Sequence, residues 1–205
     1  LVFDEVVTGF RYAPGGAQEL FGVTPDLTAL GKGLANGYPL SAVTGRADIM
    51  HLMEEIFFSF TMGGETLSLA AALATIRKVK ERQVPAVLAA QGDKIVRGLT
   101  KLVERHSVGD FATLAGHPSW NFLVLGDAGG WSSFEIRTLF LQEMFARGIL
   151  TTGSHNMTYA HGDEDIAKLL NAYDEVLPIL RDAVDNGSLR QLLLCEPLKP
   201  LFKVR

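Results

Sequence analysis

Cysteine is nearly absent from this chain: Cys195 is the only one in 205 residues. One thiol cannot build an internal disulfide framework, and it suits a reducing compartment, so a cytoplasmic location is expected. Long hydrophobic runs are missing too. No stretch approaches the roughly 20 apolar residues that span a bilayer, so no membrane partner is predicted. Positive charge is scarce: 19 Lys and Arg against 23 Asp and Glu give a net charge of -4, with no basic run. That balance argues against a nucleic-acid partner. Neither G-x-G-x-x-G nor G-x-x-x-x-G-K-[ST] occurs, which leaves a nucleotide-binding module as a distant alternative only. The hydrolase elbow G-x-S-x-G is absent as well. His155 and His161 lack further ligands at a recognised metal spacing, and no metal site is expected.

What is present is the composition of a globular α/β protein, 47% hydrophobic and 20% charged, with ordinary amounts of both. The chain opens directly in LVFD, an apolar run ending on an acid, with no basic leader before it. It therefore reads as a piece of a longer polypeptide. LVFD, DLTAL, LSAVTG and IFFSF are short apolar runs separated by glycine, as strands of a mixed or parallel sheet would be. The stretch from Glu65 to Glu81 contains neither Gly nor Pro. It predicts a long helix, buried early and charged late. A second helix is expected over 84–106, with Val87, Leu88, Ile95, Leu99 and Leu102 on its apolar side.

The second half changes character. Residues 111–115, 120–125 and 149–152 read as strands, and 153–156 as a plain surface turn or, by resemblance to a known enzyme branch, a loop near the substrate. Ser132 and Glu135 form a capping-box pattern ahead of an apolar helix that Gly148 stops. A last helix opens on Asp163, Glu164 and Asp165, and Pro178 is expected to kink or end it. Strands mixed with such helices suggest a compact α+β domain from about residue 90 onward.

Two residues raise chemical questions. Lys32 stands between Gly31 and Gly33, with Leu30, Leu34, Ala35 and Pro39 nearby. A solvated loop lysine is the ordinary reading. Small and apolar neighbours point instead to a desolvated amine, whose lowered pKa would make it a nucleophile for carbonyls. Asp4 ends a strand, where ligands bind in open α/β sheets. It can cap the next turn, or hold a proton on a heterocyclic nitrogen. The latter is what pyridoxal phosphate requires of a protein.

Asp4-Glu5-Val6-Val7-Thr8-Gly9-Phe10-Arg11, followed by Thr28-Ala29-Leu30-Gly31-Lys32, resembles the signature of the class III, fold-type I aminotransferases. Gly15-Gly16-Ala17-Gln18 and Phe21-Gly22-Val23-Thr24-Pro25-Asp26 most resemble the glutamate-1-semialdehyde aminomutase branch, and the likeness extends through Gly64-Glu65-Thr66-Leu67-Ser68. The resemblance implies an α/β fold-type I transferase. Residues 1–83 would be the end of the large cofactor domain with a linking helix, and 84–205 a small α+β domain. It implies pyridoxal 5'-phosphate as cofactor. Asp4 would pair with the ring nitrogen, Val6 would pack on a ring face, and Lys32 would form the Schiff base and then move the proton. Thr66 would contact the phosphate, reaching the partner's cofactor across a homodimer with shared sites, while Glu5 and Arg11 would support.

The implied reaction moves an amino group between a small-molecule amino donor and a carbonyl acceptor. An intramolecular 2,1-aminomutase is the closest alternative, and a non-catalytic relative a further one. Two departures stand out. Leu69-Ala70-Ala71 follow Thr66 where the family usually has small polar residues and a proline. The family's phosphate cup and ring-stacking aromatic lie upstream of Leu1, so this piece alone is expected neither to hold cofactor nor to turn over.

Overall fold

The computed structural model describes residues 1–57 and 61–200, and the chain divides into two compact units, Leu1–Ala89 and Ala90–Arg205. In the first unit, β1 (Val2–Asp4), β2 (Leu27–Leu30) and β3 (Ala42–Gly45) form a mixed sheet in that order. β1 runs parallel to β2 with Asp4 beside Ala29, and β2 is antiparallel to β3. The parallel pair requires a crossover connection. α1 (Gly16–Phe21) lies within it. β1 is an edge strand here, and Leu1 and Val2 are exposed rather than buried as their apolar character suggested. Of the expected IFFSF strand, Ile56 and Phe57 are not in a strand, and 58–60 lie outside the described residues.

After β3 come the short helix α2 (Ala47–Met50), a 3-10 turn at His51–Glu54, and α3 (Thr66–Glu81). α3 occupies the helix expected there, yet its early face is not the expected one. Leu67, Leu69 and Leu73 are exposed, whereas Ser68, Ala72 and Val79 are buried. Ala72 packs with Leu34 and Ala35, and Phe10, Leu30, Leu40, Ala42 and Ile76 close around them. The small residues sit where the helix approaches another backbone segment, and the long ones are left outside. That segment is the 3-10 turn Lys32–Leu34.

α4 (Val84–Arg105) matches the expected second helix and crosses the division between the units. Leu88, Ile95, Leu99 and Leu102 are buried along it, as their spacing indicated. The second unit continues with β4 (Ala112–His117), β5 (Trp120–Leu125), α5 (Ser133–Ala146), β6 (Ser154–Asn156), α6 (Asp163–Asp185) and α7 (Leu189–Leu192). Its sheet is antiparallel throughout, in the order β4-β5-β6. The capping box is formed: Ser132 accepts from the Glu135 amide, and Glu135 accepts from the Ser132 amide. One expectation is corrected: the third strand is 154–156, not 149–152, because it is His155 that pairs with Asn121 of β5. Of the two outcomes expected at Pro178, an end does not occur, since α6 runs on to Asp185. Tyr173, Val176, Leu177 and Leu180 are fully buried around that proline, and their packing outweighs one missing backbone donor.

Gly92 of α4 meets the β4–β5 hairpin at close range. A Cβ at Gly92 would fall 1.8 Å from the Pro118 carbonyl oxygen and 3.1 Å from Met157 Cγ. Gly92→Ala gains about 1 kcal/mol in helix propensity but forces the hairpin off the helix, a cost of about 3 kcal/mol. A net loss of about 2 kcal/mol is expected in the urea unfolding of the second unit.

Candidate active site

Asp4 and Lys32 stand at the C-terminal ends of two neighbouring parallel strands. Ala29 lies directly beside Asp4, and Lys32 follows it by three residues. One inter-strand spacing and three virtual bonds keep their Cα atoms within about 16 Å of each other. Val6 packs beside Gly31, its Cγ1 3.4 Å from where a Cβ on Gly31 would be. Glycine at 31 therefore lets the strand carrying Lys32 close onto Val6. All three residues come from chain leaving the same edge of the sheet, the edge at which open α/β sheets bind ligands.

The Asp4 carboxylate is exposed and accepts a hydrogen bond from the Val6 amide at 3.0 Å. Lys32 is exposed as well, and among the described residues it has neither an ion pair nor a hydrogen bond through its amine. The desolvation expected from its neighbours is not found. Leu34 and Ala35 turn into the small core with Ala72, while the residue between the two glycines is left at the surface. Its backbone is unusual: Lys32 has φ of 37°, and Phe10 and Asn36 nearby are also at positive φ. Non-glycine residues adopt this region at a cost of about 1 kcal/mol each, and such strain clusters at functional sites.

Glu5 is the best-buried residue of the site, at 1% exposure. Its carboxylate accepts from the Thr8 hydroxyl and from the amides of Ala17 and Gln18, both at 3.0 Å. Nearby Arg11 donates its Nε to the Val7 carbonyl at 3.2 Å, and burial pulls its pKa below the ordinary arginine value. Burial likewise raises that of Tyr12. The depth of Glu5 was not legible, because an acid within a strand–loop junction usually reads as solvated.

Thr66 is the first residue of α3 and is exposed. The Glu65 carboxylate before it accepts from the Leu67 and Ser68 amides, both at 2.7 Å. A negative side chain thus caps the helix in the position a bound anion often takes. Through Ala72, the same helix braces the Lys32–Leu34 turn.

The donor set suits an aromatic aldehyde. An exposed amine, an exposed carboxylate and an apolar valine come from neighbouring chain segments, the donor types that an aldehyde, a ring nitrogen and a ring face call for. Pyridoxal phosphate has all three.

His155, in the second unit, belongs to the core. Its Nδ1 lies 2.7 Å from Asn121 Oδ1 and its Nε2 lies 2.8 Å from the Tyr173 hydroxyl. Asn121 donates its Nδ2 to the Pro118 carbonyl, so its oxygen faces the imidazole. That fixes the proton on Nδ1 and makes Nε2 the acceptor from Tyr173. Neither the expected substrate loop nor a surface turn is present here; strand pairing has drawn the residue inside. Burial pushes the His155 pKa down from 6.5 to about 4. An unfolded imidazole takes its proton near pH 6.5, whereas the folded one resists until about pH 4. Stability from this residue is therefore complete above the upper value and is lost as pH falls through the window, on the order of 3 kcal/mol in all. Urea midpoints at pH 7, 5 and 4 should fall steeply for the native chain and less steeply for His155→Gln.

Three comparisons bear on this geometry. Residues 1–117 match the aminotransferase class-III family. The chain is 32% identical over 180 residues to a 3-aminobutyryl-CoA aminotransferase of Cloacimonas acidaminovorans, covering 86% of this chain and 43% of that protein. It is 35% identical over 196 residues to a glutamate-1-semialdehyde 2,1-aminomutase of Methanosarcina acetivorans, covering 86% and 44%. Among solved structures, the FumI protein of Sphingopyxis sp. MTA144, in its PLP internal aldimine form, superposes with a TM-score of 0.79. It shares 28% identity, over 94% of this chain and 46% of that one. The chain thus spans less than half the length of the proteins it resembles. The expected mixed α/β, fold-type I architecture is borne out.

Proposed function

Since the chain belongs to the class-III aminotransferases, its residues 1–117 matching that family, we propose that it forms part of a pyridoxal-phosphate-dependent enzyme that moves an amino group between an amino donor and a carbonyl acceptor. The observation that carries this reading is the pairing of β1 with β2. It supports the reading because Asp4 ends the strand beside the one that leads into the Lys32 turn, and Val6 packs next to Gly31.

Lys32 Nζ would hold the cofactor through its aldehyde carbon, and the same amine, once free, would move a proton between two carbon positions that its long flexible stem reaches. Asp4 would keep a proton on the ring nitrogen. When bound, the cofactor supplies a cationic ring that withdraws electrons from the carbon losing its proton. Val6 keeps water from one face of that ring. Thr66 contacts the phosphate, and the exposed leucines 67, 69 and 73 beside it support a homodimer in which it reaches the partner's cofactor. Residues 1–83 are the end of the cofactor domain with the linking helix, and 84–205 the small domain. The exposed, unpaired Cys195 suits the cytoplasm.

A second reading, intramolecular transfer by a 2,1-aminomutase, is favoured by the 35% identity to the enzyme of that name. One experiment tests both. The complete polypeptide carrying this chain is titrated with pyridoxal phosphate, and the cofactor absorbance is then followed with a panel of amino donors. An aminotransferase loses the band to a donor and regains it with a keto acceptor. An aminomutase turns over an amino-aldehyde acid with no second substrate. A protein that develops no cofactor band contradicts both.

A further inference from the structure

We infer that Glu5 is a positioning residue for this site, a buried carboxylate that sets Asp4 and Val6 against the Lys32 strand; the inference rests on the reading just given. Glu5 falls between the two residues it would position, and three separate anchors hold it. Its main-chain amide donates to the Ala29 carbonyl at 2.9 Å, tying it to the strand that leads to Lys32. Its carbonyl accepts from Gly9 at 2.9 Å, which closes the turn after Val6. Its carboxylate accepts from Thr8, Ala17 and Gln18, fastening that turn to the tip of α1.

The burial itself argues for a purpose. A carboxylate at 1% exposure is expensive to desolvate, and no cation is ion-paired with it among the described residues. Hydrogen-bond donors alone compensate it. If only the tip of α1 needed capping, an exposed side chain would serve, and Glu19 already does this by accepting from Gly15 at 2.6 Å. Gly16 shows how closely the carboxylate is enclosed. Its φ is 77°, and a Cβ there would fall 2.5 Å from Glu5 Oε2. Side chain and main chain of one residue thus fix where Asp4 and Val6 stand relative to Gly31.

Glu5→Gln keeps the shape but turns an amide NH₂ toward backbone donors. Gly16→Ala pushes the same carboxylate from the α1 side while leaving residues 4–6 unchanged in sequence. Glu19→Gln is the control, since it disturbs the α1 tip alone. In the complete polypeptide, Glu5→Gln and Gly16→Ala are each expected to weaken pyridoxal-phosphate retention about tenfold or more. They should also shift the pH midpoint of the cofactor absorbance, with Glu19→Gln unchanged in both. In the cofactor-free protein, the Val6 and Gly31 amide resonances should move in the first two variants and not in the third. Loss of thermal stability with unchanged retention, pH midpoint and resonances would overturn the inference. A native protein that takes up no cofactor contradicts the functional reading instead. The resonances then decide the inference alone: movement supports it and no movement overturns it.

Discussion

Lys32→Ala is expected to abolish covalent retention of pyridoxal phosphate and to lower amino transfer at least about a thousandfold. The loss should be chemical, not structural. Lys32 is exposed and occupies a strained backbone position that alanine tolerates about as well. Unfolding midpoints should therefore stay within about 0.5 kcal/mol of the native chain. No other lysine of the first unit is expected to substitute. The only others in the first unit are Lys78 and Lys80, in the last turn of α3. The Lys32 turn packs on Ala72, so the Cα atoms of those lysines lie about 9 and 12 Å further along the helix axis. Small primary amines added to the variant should restore part of the rate, since the missing group is one movable base. A variant that keeps its cofactor covalently through dialysis and denaturation contradicts the assignment.

Asp4→Asn is expected to cost about a hundredfold or more in kcat while changing donor KM little. The asparagine oxygen can still accept from the Val6 amide, as Asp4 Oδ1 does at 3.0 Å, so the loop keeps its geometry and only the charge is removed. Each pKa unit by which the carboxylate favours the protonated ring corresponds to about 1.4 kcal/mol. A shift of two units thus accounts for a factor of about a hundred. The effect should appear in the proton-transfer step, as a larger primary isotope effect with a deuterated donor. A kcat within threefold of native would mean that Asp4 serves only to cap the turn.

Much of the local structure was legible because it depends on neighbours in sequence. The long helices, the capping box at Ser132 and Glu135, and the strands around Asp4 and Ala29 all follow from periodicity and short-range donors. The mispredictions came from long-range partners. His155 became a strand residue because Asn121 and Tyr173 take both its ring nitrogens, and no local pattern announces that. α6 passes Pro178 because buried side chains on either side outweigh one lost bond. The exposed leucines of α3 depart from expectation for the opposite reason: apolar character does not decide burial here, whereas close packing on Leu34 and Ala35 selects a small residue at 72. Lys32 itself was found by its glycines, but its exposure could not be inferred from them. The depth of Glu5 depends on Ala17 and Gln18 and shows only in three dimensions.

The most direct measurement is borohydride reduction of the complete, cofactor-loaded polypeptide, followed by mass-spectrometric mapping of its peptides. The account predicts one modified lysine, Lys32, and protection from reduction after a saturating amino donor has displaced it. A reduced adduct on any other lysine, or on none, would contradict it.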